Sequence, residues 1–317
     1  MSTPGSVSVI LVSKDRPSYL SDALGSLLPQ NSFIKEIIIF DKSEVHDNQV
    51  MIDALAKQHG AILYQRDPLC TTSALRNEGL SLATGEYLCF LDDDDYLFPD
   101  YLKSQLSFLQ NGASLVFCNY ITARYTKHPM SNDQIASQFS ILIKLRTWTS
   151  ALAFTSGPLS IQRNSFAFIA SFVPIIHGAL FRKDAIDKIR FSEQMVFCED
   201  IHFWILFYRN NVKMAFNTTV LAMYRIHDHN WSAMFNTGHN FDFYNSLKRE
   251  NAVTGIFNQF VLNLKLLKLS DWGNRISYSE KMPFWKGLFS SIYYMPYVLL
   301  VIPYFVTLKY QNYISKR

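Results

Sequence analysis

Apolar and polar positions along this chain change period in blocks. Val7-Ser8-Val9-Ile10-Leu11-Val12 is a β-branched run of strand length, closed by the polar turn Ser13-Lys14-Asp15-Arg16-Pro17. Tyr19 to Leu28 carries Leu20, Leu24, Leu27 and Leu28 at helical spacing. Glu36 to Asp41 predicts a second strand, Asp47 to His59 a helix, and Ala61 to Gln65 a third strand. Cys70 to Ala83 predicts another helix, which Thr71 or Thr72 can cap. Gly85 then turns the chain into Tyr87-Leu88-Cys89-Phe90-Leu91, an apolar run that ends in the carboxylates Asp92, Asp93, Asp94 and Asp95. Pro99 suits the first turn of a following helix, which continues through 102–109, and Leu115 to Asn119 reads as a strand. Strands alternating with helices predict βαβ units, an α/β fold with a mostly parallel Rossmann-like sheet flanked by helices. Ligands of such sheets bind beyond the carboxyl ends of strands, where Asp41 and the acid run both fall.

The pattern loses its period over about 124–172, which is expected to form an irregular insertion. It returns at Ile175 to Phe181, around His177-Gly178, with a short helix near Lys183. Glu199-Asp200 opens a helix through Tyr208, and Val212 to Phe216 and Val220 to Tyr224 predict two further strands. Phe241 to Leu269 is long and helical. The expected division is a catalytic domain over 1–235 and a helical C-terminal region over 236–317. Within the latter, 284–308 is an apolar segment, and the 22 residues from Gly287 to Leu308 carry no charge. That length matches the roughly 20 residues that cross a bilayer core. Pro296 and Pro303 interrupt it, and Tyr293, Tyr294, Tyr297 and Tyr304 suit a membrane interface. Membrane association through this segment is the expectation, whether it spans the bilayer or lies on it.

Composition narrows the class. Hydrophobic content of 49% and charged content of 18% suit a globular core and exclude disorder. A net charge of +4 is too small to argue for nucleic acid. Cys70, Cys89, Cys118 and Cys198 are widely spaced, which points to buried thiols in a reducing compartment rather than disulfides or zinc. Met1 to Ser6 lacks the basic and apolar regions of a secretory signal, so a site on the cytoplasmic face of the membrane is expected.

Four adjacent acids repel one another, and the plainest compensation at a strand end is a hard divalent cation with oxygen ligands. A calcium loop starting at Asp92 fails on spacing, since Leu97 and Lys103 stand where glycine and glutamate are required. No glycine-rich phosphate loop follows the first strand, and Tyr96 stands where an aspartyl-nucleophile phosphatase would usually have threonine.

Several further motifs stand in order: Ala74-Leu75-Arg76-Asn77-Glu78-Gly79-Leu80, then Ala83-Thr84-Gly85-Glu86-Tyr87, then Cys198-Glu199-Asp200, then Tyr224-Arg225-Ile226-His227. With the opening strand and turn, Asp41 and the acid run, they resemble glycosyltransferase family 2, inverting enzymes of the GT-A fold. The resemblance runs from about Val7 to Ser232. It implies that Asp92 and Asp94 are the DxD motif holding Mn²⁺ or Mg²⁺ against a nucleotide diphosphate, with Asp93 touching sugar or ribose. It implies that Asp41 bonds the nucleobase, usually uracil, and that Arg76, Arg225 and His227 lie near the phosphates. Asp200 is the implied general base, with Glu199 the second candidate, and His177 and Glu199 are placed on the acceptor side. The turn departs from the family's Pro-Thr-x-Asn-Arg type, having Val12-Ser13-Lys14-Asp15-Arg16. The expected activity is transfer from a nucleotide-sugar, a UDP-sugar by preference, to a hydroxyl of a glycan or lipid-linked oligosaccharide in cell-envelope polysaccharide synthesis. The competing expectation is a catalytically inactive nucleotide-binding scaffold of a membrane polysaccharide-assembly complex.

Overall fold

A computed structural model describes residues 5–124, 174–195 and 198–227, with isolated helical positions at Ile169, Phe243, 246–248 and Leu262. The expected insertion over 124–172, the boundary at 235 and the apolar segment 284–308 lie outside these residues almost entirely. Among the described residues, no helix is long and apolar enough to cross a membrane.

The core is one sheet in the order β3-β2-β1-β4-β7-β6-β8-β5. Strands β1 (Val7–Ser13), β2 (Ile34–Asp41), β3 (Ile62–Gln65) and β4 (Tyr87–Asp92) form its parallel half. Helices α1 (Pro17–Gly25), α2 (His46–Gln58) and α3 (Thr72–Leu82) make the crossovers. Thr71 caps α3 by accepting from the Ala74 amide at 3.1 Å. Val9, Ile10, Leu11, Leu88, Phe90 and Leu91 are almost wholly buried. Each such side chain contributes about 1.5–3 kcal/mol relative to exposure.

The second half departs from the predicted pattern. After Asp92 a two-residue strand, β5 (Tyr96–Leu97), precedes α4 (Tyr101–Gln110), and Pro99 stands before the helix rather than within it. Strand β6 extends to Arg124 (Leu115–Arg124). Strand β7 (Ala179–Arg182) runs antiparallel to both β4 and β6. The two strands expected after Val212 are one, β8 (Met214–Ile226), paired with β6 through register shifts near Asn119. Thr218 and Thr219 are exposed at that irregularity, so polar residues that read as a break are a bulge within a continuous strand. Helix α5 (Glu199–Arg209) packs on the sheet through aromatic rings. Phe203 stacks on Phe191 at 3.9 Å between centroids and meets Phe90 edge-on at 6.3 Å. This packing fixes the start of α5 against the end of β4. None of the four cysteines forms a disulfide.

Candidate active site

The parallel strands end level with one another. Val12 is in register with Asp92, and Ser13 with Asp41, so the acid run and Asp41 flank the end of β1, each one strand away on opposite sides. The Ser13 hydroxyl donates to Oδ2 of Asp93 at 2.9 Å, and the Lys14 amide to the same oxygen at 3.2 Å. Arg16 grips two acids of the run. Its Nε donates to Asp93 Oδ2 at 3.3 Å and its Nη1 to Asp94 Oδ2 at 2.5 Å. Its Nη2 lies 2.5 Å from Asp93 Oδ1, a close ion pair that is off the line of a hydrogen bond. Burial pushes the Asp93 carboxyl up to about 7, against the Arg16 charge that lowers it and with the Asp94 charge that raises it. Burial also works against the charge of Arg16, but Asp93, Asp94 and Asp92 hold its guanidinium above its ordinary value.

Asp94 and Asp95 take different partners. Asp94 Oδ2 lies 3.0 Å from Nε2 of His227, whose ring stacks on Tyr19 at 4.7 Å. Burial raises the Asp94 pKa, but the His227 hydrogen bond and Arg16 outweigh it and keep the carboxyl below its ordinary value. Asp95 Oδ1 accepts the Arg225 amide at 2.8 Å, and its Oδ2 lies 2.9 Å from Nδ1 of His177. That pair too makes an ionic contact without hydrogen-bond alignment. Burial drives Asp95 up to about 6, opposed by His177. Burial disfavours the His177 charge, and Asp95 overcomes it and raises the imidazole. The Arg225 guanidinium is buried within the fold. It donates to the Asp94 carbonyl, to Asp22 Oδ2 at 2.9 Å and to the Tyr19 carbonyl at 3.2 Å, tying the acid loop to α1.

Arg76 joins this loop to α5. Its Nη2 donates to Asp92 Oδ1 at 2.8 Å and its Nη1 to Glu199 Oε1 at 3.2 Å, while Phe191 lies 5.4 Å beneath the guanidinium. Gly79, one turn along α3, makes the approach possible, since a Cβ there would stand 2.5 Å from Cγ2 of Ile10. Cys198, before α5, adopts the left-handed region at φ 57°, a conformation that costs a residue with a Cβ about 1–2 kcal/mol. The turn delivers Glu199 and Asp200 into the helix start. Asp200 accepts from the Ile201 amide at 2.7 Å. Burial first and the Glu199 charge second push its carboxyl up to about 7, although part of the side chain stays open to solvent.

At the far strand, Asp41 Oδ1 accepts from the Ser43 amide at 3.0 Å and the Ser43 hydroxyl at 2.6 Å. Its Oδ2 is buried without a hydrogen-bond partner. A buried acceptor left unpaired costs about 1–3 kcal/mol, which suits a position that meets a donor on a ligand.

The structure thus gathers Asp92, Asp93, Asp94, Arg225, His227 and His177 around one loop, and links that loop through Arg76 to Glu199 and Asp200. Ser13, Arg16 and Asp95 also belong to this network and were not singled out from the sequence. The basic residue before Pro17 was the visible signal for Arg16. For metal binding, Asp92, Asp95 and His177 bring donor atoms within 4.8 Å of one another. Asp95 and His177 are only 1% exposed, so Asp92, at 30%, is the open member of that group. Asp94 with His227 offers a second carboxylate–imidazole pair. The donor chemistry fits a divalent cation, and the Arg16 guanidinium already marks the Asp94 carboxylate as a place for positive charge.

A largely parallel sheet with an acid loop at the carboxyl edge of its strands is the architecture of the GT-A fold. The sequence model of glycosyl transferase family 2 matches residues 8–190, and the chain belongs to that family. EpsH of Bacillus subtilis is 30% identical over 120 residues, 38% of this chain and 35% of its own. The GalNAc(5)-diNAcBac-PP-undecaprenol beta-1,3-glucosyltransferase of Campylobacter jejuni is 30% identical over 115 residues, covering 36% of this chain and 37% of its own. The matches thus span about a third of these relatives. Staphylococcus aureus TarS 1–349, solved in complex with UDP-GlcNAc, superposes with a TM-score of 0.60 at 16% identity, covering 83% of this chain and 72% of that one. That likeness shows the shared fold.

Proposed function

We propose that the chain is an inverting, metal-dependent glycosyltransferase that moves a sugar from a UDP-sugar to a hydroxyl of a glycan or lipid-linked oligosaccharide in cell-envelope polysaccharide synthesis. The observation that carries this reading is the Asp92–Arg76–Glu199 bridge, which holds a partly exposed Asp200 beside the acid loop at one sheet edge. Asp41 receives the nucleobase N–H on its unpaired Oδ2, whereas Asp93, wholly buried beneath Arg16 and the Ser13 hydroxyl, holds the loop in place and the expected contact to sugar or ribose is not retained. Asp92 and Asp94, with His227, would hold Mn²⁺ or Mg²⁺, which when bound would supply positive charge to offset that of the diphosphate leaving group.

Asp200 takes the proton of the acceptor hydroxyl as that oxygen attacks the anomeric carbon from the face opposite the diphosphate. The new carbon–oxygen bond forms as the bond to the phosphate oxygen breaks, and the electron pair leaves with UDP. A carboxyl with a pKa of about 7 is matched to this task at neutral pH. Glu199 orients the acceptor while it pairs with Arg76, and His177 supports the same wall through Asp95. Arg76 stands nearest the phosphates. Arg225 holds the loop that carries Asp94. The apolar segment 284–308 brings the site to a lipid-linked acceptor on the cytoplasmic membrane face, and deleting the chain after Met282 is expected to release the protein from membranes.

The test is a calorimetric and thermal-shift panel of nucleotide diphosphates and nucleotide sugars with Mn²⁺, Mg²⁺ or chelator, followed by donor turnover. Metal-dependent stabilisation by uridine nucleotides together with turnover supports the reading. Binding without turnover of any donor on any glycan acceptor favours the inactive scaffold, and no response to any nucleotide overturns both.

A further inference from the structure

The acid loop meets three arginines, and one of them differs from the others. Arg76 and Arg225 are 6% and 2% exposed and are locked by several partners each, whereas Arg16 is 28% exposed. Its backbone is fixed. Asp15, at φ 53°, accepts from the Glu44 and Val45 amides and from the Asn48 side chain, and Pro17 begins α1. The side chain, with its flexible stem at the solvent edge, is the part that can move. Its contacts divide unevenly, with Nε and Nη2 on Asp93 and Nη1 alone on Asp94.

We propose that Arg16 is a placeholder for the divalent cation, holding Asp94 until metal and nucleotide arrive together. Metal entry breaks the single Nη1–Asp94 contact, and the guanidinium stays anchored on Asp93. Two cations on one carboxylate repel, so metal alone binds weakly while Arg16 is in place. The diphosphate brings the negative charge that offsets the crowding, which couples metal capture to nucleotide capture. The inference rests on the metal-dependent reading above.

The experiment is calorimetry of Mn²⁺ binding to wild type and Arg16→Gln, with and without UDP. Arg16→Gln is expected to bind Mn²⁺ alone about tenfold more tightly than wild type, and the gain on adding UDP is expected to shrink by a similar factor. A variant whose affinity for Mn²⁺ alone is unchanged or weaker, including one that binds none, overturns the placeholder. If wild type takes up Mn²⁺ with UDP and the variant matches it in every arm, only the placeholder falls. If wild type takes up no Mn²⁺ even with UDP, the metal-dependent reading falls with it. Should Arg16→Gln not fold, the Nη protons of Arg16 in wild type, assigned by their loss in Arg16→Lys, decide the matter. They are distinct while clamped to two carboxylates, and when Mg²⁺ and UDP bind the Nη1 protons should shift and exchange faster with water while the Nη2 protons keep their contact with Asp93. Unchanged Nη signals with Mg²⁺ and UDP bound overturn the proposal.

Discussion

Arg76 donates from Nη2 to Oδ1 of Asp92 at 2.8 Å, bringing a cation from the middle of α3 to the last residue of the central strand. The same guanidinium reaches Glu199, 123 residues further along the chain, so one side chain sets the spacing between the donor-side acids and the start of α5. Replacing Arg76 with Met removes the charge while keeping an apolar stem over Phe191. The expected cost is about 1.5–3 kcal/mol in urea unfolding, the range for hydrogen bonds to charged groups, because Asp92 and Glu199 keep contact with solvent. UDP affinity should fall together with stability. A variant as stable as wild type would mean that Asp92 and Glu199 do not depend on this bridge.

How much of this arrangement was legible in the sequence depends on the range of the contacts. The parallel half follows from period, because β1 to β4 are apolar runs separated by helices, and a strand end carrying Asp41 or Asp92 declares itself locally. The antiparallel half does not. Strand β7 lies between β4 and β6 only because both present matching edges, and the four residues Ala179–Arg182 carry no mark of direction. Within the site, the acid run announced a cation, but the division of labour among its members is tertiary. His177 meets Asp95, His227 meets Asp94, and Arg16 takes Asp93 with Asp94, each across 77 or more residues. An arginine in a turn has no periodic neighbour to reveal which carboxylate it will face.

Asp94 is the acid whose exchange tests the metal. Asp94→Asn keeps the shape, and its amide can still meet His227, but it loses the charge that attracts a cation. Wild type with UDP and Mn²⁺ at a hundredfold excess over the dissociation constant should gain about 2.7 kcal/mol of apparent stability over the ligand-free protein. Asp94→Asn should show the same melting temperature with Mn²⁺ as with chelator at equal UDP. A full metal-dependent shift in the variant would place the cation on other donors, Asp92, Asp95 and His177 being the alternative group.

The buried Asp95–His177 pair predicts a non-additive pattern. His177→Phe strands a carboxylate that is 1% exposed, and the expected loss is about 3–5 kcal/mol. Adding Asp95→Asn removes the stranded charge while keeping an acceptor for the Arg225 amide. The double variant should therefore be more stable than His177→Phe alone. Urea unfolding of the four proteins in the cycle gives the coupling directly. Additive losses would show that the two side chains do not act as a pair.

Asp200 joins catalysis to stability with opposite signs. Burial and Glu199 raise its carboxyl to about 7, so a base that must be ionised gains activity as pH rises through 7. The same shift costs stability. Between the ordinary value of 3.8 and about 7, the folded protein binds more protons here than the unfolded chain does, so this group's contribution to stability declines as pH rises through that window. Asp200→Asn removes the proton acceptor and the unfavourable charge in one step. Transfer should fall on the order of 10²–10⁴-fold, the range for losing a general base, and the limb near pH 7 should vanish from the rate profile. UDP binding should be unchanged, and above pH 7 the variant should melt at or above the wild-type temperature. A variant that transfers sugar near the wild-type rate would move the base to Glu199. One that loses activity only because it loses stability would show a lowered melting temperature above pH 7, the reverse of what a carboxyl with a raised pKa predicts.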